Sequence, residues 1–454
     1  MKNLTTGKIW LFAIGQYGWA LLSGLISNWL VYFYQPDTAS QSAGQILFVP
    51  QGRIFLGIVT VIGAITAIGR IFDAFTDPWI ASLSDKCKSK NGRRIPFLKL
   101  ASVPLAISTF LVFMAPVGRT SWINAVWLFV LVMVYYLAIT AYCTPYTALI
   151  PELGHTQEQR LNISTVISLT FIIGMATAYA APVIWGIFEP SMGRVPAMRL
   201  AFGILSSIAL ICLLVPVFAI REKDYVTAVP VEGSAFSSLV KTFRNKDFRI
   251  FVGSDVLYWV ALTMFQTGLP FFVTSLLKLP ESMATVYFVL MTALSLVFYI
   301  PINIIAKKIG KKKLVLTAFF LFAGTYLYTT FLGSGLGISP VAQGYILAIA
   351  AALPMAIFGI LPQAMVADIS QSDSIATGEN REGMFYAART FAFKMGQSVS
   401  MLVFTGIVTI GAVNGTGYRI AAGTAAVVCL LGGIVLFGFN EKKINNSIAQ
   451  VNKE

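Results

Sequence analysis

The sequence predicts an all-α polytopic membrane protein, with twelve transmembrane helices in two pseudo-symmetric halves of six. Three observations lead there. Of 454 residues, 57% are hydrophobic and only 11% charged, whereas soluble domains carry about 25% charged residues. Twelve apolar runs reach the roughly 20 residues needed to cross a bilayer. Lysine and arginine then crowd into alternate loops, as they do on the cytoplasmic side of membrane proteins.

Taken in order, the first six spans lie near 9–34, 54–82, 97–117, 122–150, 163–187 and 197–220, and the second six near 250–276, 283–306, 313–333, 341–366, 384–412 and 417–439. Lys2 and Lys8 precede the first run like the start of a signal peptide. That run continues to Tyr34 and has no small-residue cleavage site, so it reads as a membrane helix. Gln35 to Arg53 is a long connection with Pro36, Pro50 and Gly52, either an external flap or a disordered loop. The basic loops hold Lys86, Lys88, Lys90, Arg93 and Arg94, then Arg221, Lys223, Lys241, Arg244 and Lys246, then Lys307, Lys308, Lys311, Lys312 and Lys313. Arg53, Arg119, Arg194, Lys278 and Arg419 are the sparser charges opposite. Both termini are therefore expected in the cytoplasm. The expected domains are a six-helix half (1–220), a cytoplasmic linker (221–249), a second half (250–440) and a cytoplasmic tail (441–454). Within the linker, Phe236, Leu239, Val240 and Phe243 share one helical face, which suits either an amphipathic surface helix or a plain connection.

Composition also excludes. The 33 Lys+Arg against 19 Asp+Glu give a basic balance, but no soluble domain is visible to present it to nucleic acid. Cys87, Cys143, Cys212 and Cys429 have no disulfide or metal-ligand spacing. His155 is the single histidine and lies in a polar connection. No Walker loop, GxGxxG, CxxC or GxSxG stands in a credible context. No catalytic residues, no enzyme activity and no organic cofactor are expected. The expected partners are the bilayer and a small-molecule substrate, with a monomer as the working unit.

The second span carries the chemistry. Asp73 and Asp77 are one helical turn apart on one face, and a lone acid at the bilayer centre costs at least about 2.5–3.5 kcal/mol on insertion scales. Two such carboxylates cannot both stay ionised cheaply, so one takes a proton or a cation enters. Thr76 adds a neutral oxygen, the ligand type hard cations favour. An internal ion pair with Arg70 or Lys394 is the structural alternative, and the two readings are compatible. In the fourth span Tyr136, Thr140, Cys143 and Thr147 form a helical stripe, either the wall of a wet cavity or helix-to-helix packing. Lys394 sits deep in the eleventh span and needs a partner, with Gln397 near it, while Arg389 reads as reaching the inner interface. Asp368, Asp373, Arg381 and Glu382 fall in an expected inner loop. Gln16, Tyr17 and Trp19 interrupt the first span, and Trp259 and Gln266 the seventh, as ligand contacts or as packing.

The halves echo each other: SLSDKCKSKNGRRIPFL after the second span is answered by IIAKKIGKKKLVL after the eighth, with Gly92-Arg-Arg opposite Gly310-Lys-Lys. Two parallel six-helix halves are the arrangement of the major facilitator superfamily. RIFDAFTDPWIASLSD with NGRRIPF, and VADISQSDSIATGENREGMFYAARTFAFKMG, closely resemble the signatures of the glycoside–pentoside–hexuronide:cation symporters, the melibiose permease family. The resemblance covers essentially all spans. It implies a cation site at Asp73, Asp77, Thr76 (where the family pattern has Asn) and Thr140, and it matches Lys394 to the family's eleventh-helix lysine. The substrate side departs. Ala20 and Cys143 stand at the family's galactoside-gripping aspartates, Thr147 and Gly359 at its tryptophans, and Thr165 at an arginine.

The expectation is a cation-coupled (Na⁺ or H⁺) secondary symporter for a sugar-like substrate, a glycoside or hexuronide, working by alternating access in a bacterial inner membrane. Gln16, Tyr17, Trp19, Ala20, Tyr136, Cys143, Thr147, Lys394 and Gln397 would face the substrate. Arg70, Asp85, Arg93, Arg94, Asp368 and Arg381 would gate it. Loss of the two acids suits an anionic ligand near Lys394. The alternatives are a symporter for a lysolipid or other non-sugar amphiphile, and a non-transporting membrane sensor.

Overall fold

The computed structural model describes residues 4–55, 59–154, 156–225, 242–335, 337–378, 382–411 and 414–451. The chain divides into two compact units, 1–233 and 234–454.

The first unit contains α1 (Thr6–Tyr34), a short α2 (Thr38–Ser42), α3 (Val61–Asp85), α4 (Ile95–Val112), α5 (Trp122–Leu153), α6 (Gln157–Tyr179), α7 (Ala181–Met192) and α8 (Arg194–Ala219). A small antiparallel pair, β1 (Arg53–Phe55) and β2 (Val59–Thr60), leads into α3. The second unit contains α9 (Lys246–Phe271), prolonged by a π-helical turn Phe272–Leu276, then α10 (Ser282–Ile309), α11 (Lys311–Thr330), α12 (Pro340–Thr377), α13 (Glu382–Ile407), α14 (Thr416–Phe437) and α15 (Glu441–Val451).

Among the described residues ten helices are long and apolar enough to cross a membrane, with α6 and α7 forming one span, Gln159–Met192. The two long helices left out are α3 and α13, which carry Arg70, Asp73 and Asp77, and Arg389 and Lys394. Together these make twelve spans. Their outward faces are apolar: Leu100, Ile187, Phe218 and Ile300 are all largely exposed. In lipid that exposure carries no hydrophobic penalty, while the helices satisfy their own backbone polar groups. Aromatic rings fill the unit interiors. Phe113 stacks on Phe202 at 3.8 Å, and Trp29 meets Trp185 edge-on at 5.0 Å and donates to the Ala178 carbonyl at 2.8 Å.

Two expectations change. The segment after 366, expected as an inner loop, continues α12 to Thr377, so Asp368 and Asp373 are helical. Nothing between Ala367 and Thr377 breaks a helix, and Gly378, in the left-handed region, ends it. The connection 35–53 is folded down over its own unit. Gln45 donates to the Tyr32 and Phe33 carbonyls at 2.9 and 3.2 Å, Arg194 donates to Gln45 at 3.1 Å, and Asn124 donates to the Phe48 carbonyl at 3.0 Å. The amphipathic face expected in the linker lies, up to Val240, outside the described residues.

The sequence echo has a structural counterpart inside each unit. In the first, Glu222 follows α8 and accepts from the backbone N–H groups of Arg93 (2.7 Å), Arg94 (2.8 Å) and Ile95 (3.0 Å) at the start of α4. In the second, Glu441 follows α14 and accepts from those of Lys311 (2.7 Å) and Lys312 (3.1 Å) at the start of α11. A carboxylate there satisfies orphan donors and complements the helix dipole. Gly92 (φ +108°) and Gly310 (φ +94°) precede the two starts, and a Cβ on either would run into its glutamate. Basic side chains complete both corners: Arg94 pairs with Asp85 (2.5 Å) and Glu152 (3.2 Å), Arg93 with Glu152 (3.3 Å), and Lys311 with Asp368 (2.5 Å).

Replacing Glu222 by Ala strands three N–H groups and is expected to lower the unfolding free energy by about 2 kcal/mol, with Glu441→Ala costing a similar amount. Thermal melts in detergent read this directly. Unchanged melting in both variants would show that the glutamates contribute no net stability.

Candidate functional site

The acid pair is positioned by the packing of α3 on α5. The Thr60 hydroxyl caps the start of α3, accepting from Gly63 N at 3.1 Å. Gly69 then lets the helices close, because a Cβ there would lie 2.5 Å from the Tyr136 ring. One turn on, the Thr140 hydroxyl donates to Asp73 Oδ1 at 2.6 Å. A turn further, Thr144 Oγ1 lies 3.4 Å from Asp77 Oδ1, a long contact. Both hydroxyl–carboxylate pairs are separated by 67 positions, and so are Gly69 and Tyr136. A constant offset means the two helices run parallel in register, one rung per turn.

Asp73, Thr76 and Thr140 are buried and Asp77 is half-buried. Thr76 donates to the Asp73 carbonyl at 3.0 Å and stands 3.4 Å from the Thr140 hydroxyl. Two carboxylates and three hydroxyls thus converge from two facing helices, all hard oxygens. Thr144 is the residue that sequence reading missed. Its signal was present: it follows Thr140 by the same four residues that separate Asp77 from Asp73. Arg70 extends over the Tyr136 ring, 5.3 Å from its centre, with Nη2 3.4 Å from Ser27 Oγ.

The expected substrate contacts are placed variously. Gln16 accepts from Trp19 Nε1 at 3.1 Å, Trp19 also meets Phe171 at 5.6 Å, and the Tyr17 hydroxyl lies 3.4 Å from Thr177. Ala20 packs against Gly174 of α6. Cys143 is half-buried, and Thr147 is exposed, with its hydroxyl turned back to the Cys143 and Thr144 carbonyls at 3.0 Å. In the second unit Lys394 is half-buried on α13, one turn before Gln397, which is buried. Gln397 Oε1 and Trp259 Nε1 are both buried without a hydrogen-bond partner among the described residues, and Trp259 stacks on Phe393 at 4.6 Å.

Of the expected gating residues, Asp85, Arg93 and Arg94 share one cluster, and Asp368 holds Lys311. Arg381 lies outside the described residues. Sequence reading missed Glu152 and Glu222, the acids that organise this cluster. It also misplaced Arg389. Instead of reaching an interface, Arg389 makes a bidentate pair with Asp255 of α9, at 2.8 and 2.9 Å, both residues buried. A guanidinium in that setting needs a carboxylate facing it more than it needs water.

Comparison with known proteins bears on the chain as a whole. Residues 11–437 match the family model described as MFS/sugar transport protein. An uncharacterized symporter of Bacillus subtilis is 26% identical over 367 residues, covering 79% of this chain and 77% of that one. The isoprimeverose transporter of Lactiplantibacillus pentosus is 22% identical over 405 residues (87% and 78%). The sodium-dependent lysophosphatidylcholine symporter 1-A of Danio rerio is 22% identical over 380 residues (74% and 68%). Among solved structures, the nucleoside transporter NupG superposes with a TM-score of 0.68 at 13% identity, covering 95% of this chain and 99% of that one, which speaks to the fold.

Truncating Asp255 to Ala leaves Arg389 buried without its carboxylate, at an expected cost of about 3–5 kcal/mol. Asp255→Leu combined with Arg389→Met removes both charges and is expected to recover most of that loss. Detergent melts of the single and double variants decide it; equal destabilisation in both would mean that the pair is not the source.

Proposed function

The chain belongs to the MFS/sugar transport protein family, and from that premise we propose that it is a cation-coupled symporter for a sugar-like substrate, working by alternating access. The family is one of transporters, so the chain is an integral membrane transporter and not an enzyme. The observation that carries the coupling is the rung geometry of α3 and α5, where Asp73 and Asp77 meet Thr140 and Thr144. Two carboxylates held one turn apart in an apolar span are costly when empty and are relieved by a single positive charge. Among the described residues no three His, Cys, Asp or Glu side chains gather into a metal-holding group. Two acids with neutral hydroxyls suit Na⁺ or H⁺ better than a divalent ion. Thr140, Thr76 and Asp73 would supply oxygens to Na⁺, and a proton would sit on either carboxylate.

The substrate reading rests on the second unit and on the relatives. Gln397 Oε1 and Trp259 Nε1 are a buried acceptor and a buried donor awaiting partners, which a hydroxyl-rich ligand would satisfy. Lys394 nearby favours an anionic sugar such as a hexuronide. The B. subtilis and L. pentosus relatives are named as a symporter and a sugar transporter. The zebrafish relative, named for a lysophospholipid, keeps an amphiphile as the second reading. The working form we infer is a monomer in a bacterial inner membrane with both termini cytoplasmic, as the basic loops indicate.

The test is a thermal-shift screen in detergent with neutral glycosides, hexuronides and lysophosphatidylcholine, each in Na⁺ and in K⁺. Wild type, Asp77→Asn and Thr140→Val are compared. A ligand at a hundred times its Kd stabilises by about 2.7 kcal/mol. A sugar is expected to stabilise wild type more in Na⁺ than in K⁺, with the difference lost in Asp77→Asn and reduced in Thr140→Val. Stabilisation by lysophosphatidylcholine alone selects the second reading. Sugar stabilisation that ignores Na⁺ but follows pH moves the coupling to H⁺.

A further inference from the structure

A cavity of 530 Å³ opens in the first unit between the start of α4 and the end of α8, away from the acid pair. Lys90, Lys99, Arg221 and Lys223 line it, with Val217 and Phe218 on its apolar side. None of these four cations has an ion pair or side-chain hydrogen bond among the described residues.

The second unit shows what such cations do when the protein neutralises them itself. There Lys311 pairs with Asp368 (2.5 Å), Lys312 Nζ donates to the Phe437 and Phe439 carbonyls (2.8 and 2.7 Å), and Lys443 reaches Asp247 (3.3 Å). At the first unit's corner, two carboxylates also line the cavity, Glu222 and Asp224. Both Glu222 oxygens are already committed to the backbone N–H groups of 93–95, and only 3% of the residue is exposed. Four cations thus face two carboxylates, an excess of two positive charges in the cavity lining. Like charges held around a concave surface raise its potential and draw an anion.

The apolar wall says which kind of anion. Phe218 belongs to membrane-spanning α8 and is 73% exposed, and Leu100, beside Lys99, is 75% exposed. A soluble phosphate has no use for that surface, but a lipid carries a charged head and a chain in one molecule. We propose that this cavity binds the headgroup of an anionic phospholipid, with its acyl chains lying along α4 and α8 past Leu100 and Phe218. Basic pockets between spans are the kind of site that holds such headgroups. The bound lipid would lie against the corner that Glu222 caps. The inference is independent of the transported substrate.

The test titrates phosphatidylglycerol into the purified full-length protein in dodecylmaltoside and follows thermal unfolding. Phosphatidylcholine and sn-glycerol 3-phosphate are the comparison arms. Lys99→Gln, Arg221→Gln and Lys223→Gln probe the cavity, and Lys313→Gln, an exposed cation of the second unit, is the control. Phosphatidylglycerol is expected to raise the melting temperature of wild type and of the control alike. Each cavity variant should need roughly fivefold more lipid for half the effect, the factor that one cation near an anionic lipid contributes. In wild type the effect should shrink in about 0.5 M salt, where screening is short-ranged, a readout that stands even if a variant fails to fold. An undiminished response in all three cavity variants, indifference to salt, or an equal response to phosphatidylcholine overturns the proposal. Stabilisation by glycerol phosphate matching that by phosphatidylglycerol also overturns it, and would leave a site for free phosphates.

Discussion

A polar group removed from water must find its partner inside the protein, and this constraint organises both units. Helices meet it for the backbone, which is why the spans are helical before any tertiary contact is considered. Side chains that carry charge into a span meet it pairwise. Arg389 has Asp255 in a bidentate bond, and Asp73 has the Thr140 hydroxyl. The two solutions differ in kind. An arginine–aspartate pair cancels its own charge and ties α9 to α13. A hydroxyl satisfies one lone pair of Asp73 and adds no positive charge of its own.

The same constraint recurs at the corners where α4 and α11, the third span of each unit, begin. An α-helix starts with N–H groups that have no partner, and in both units a glutamate from just beyond the last span of that unit supplies the acceptor. This closes the unit end to end, since the chain after the last span secures the third. The glycines before each start are required by the backbone turn and by the closeness of the glutamate. Both corners pair cations internally, Arg93 and Arg94 in the first unit and Lys311 in the second, while the first also carries the cations that line the open cavity.

Register is what turns a polar stripe into a site. With α3 and α5 parallel and offset by a constant 67 positions, each turn of one helix meets the matching turn of the other. Gly69 removes the side chain that would hold the helices apart, and the next two rungs bring hydroxyl to carboxylate. Thr147 and Cys143 also lie on α5 and share much of the stripe, yet the Thr147 hydroxyl bonds back to its own helix. Periodicity alone gives a helical face about three residues wide; only the neighbouring helix chooses among them.

The sequence by itself determined the number of the spans and their order, because bilayer thickness and apolar runs depend only on local composition. The carboxylate pair and the internal echo at Gly92 and Gly310 were legible for the same reason, as they are features of spacing. What only tertiary structure decided was every partnership at long range. Asp255 with Arg389, Thr144 with Asp77, and Glu222 and Glu441 with helix starts far away in sequence are such cases. So is the folding of 35–53 onto Asn124 and Arg194, where the sequence left flap and disordered loop equally open. These pairings follow from which helices pack together and in what register. Hydropathy does not encode that, because in lipid every helix is equally content with its neighbours until specific side chains meet.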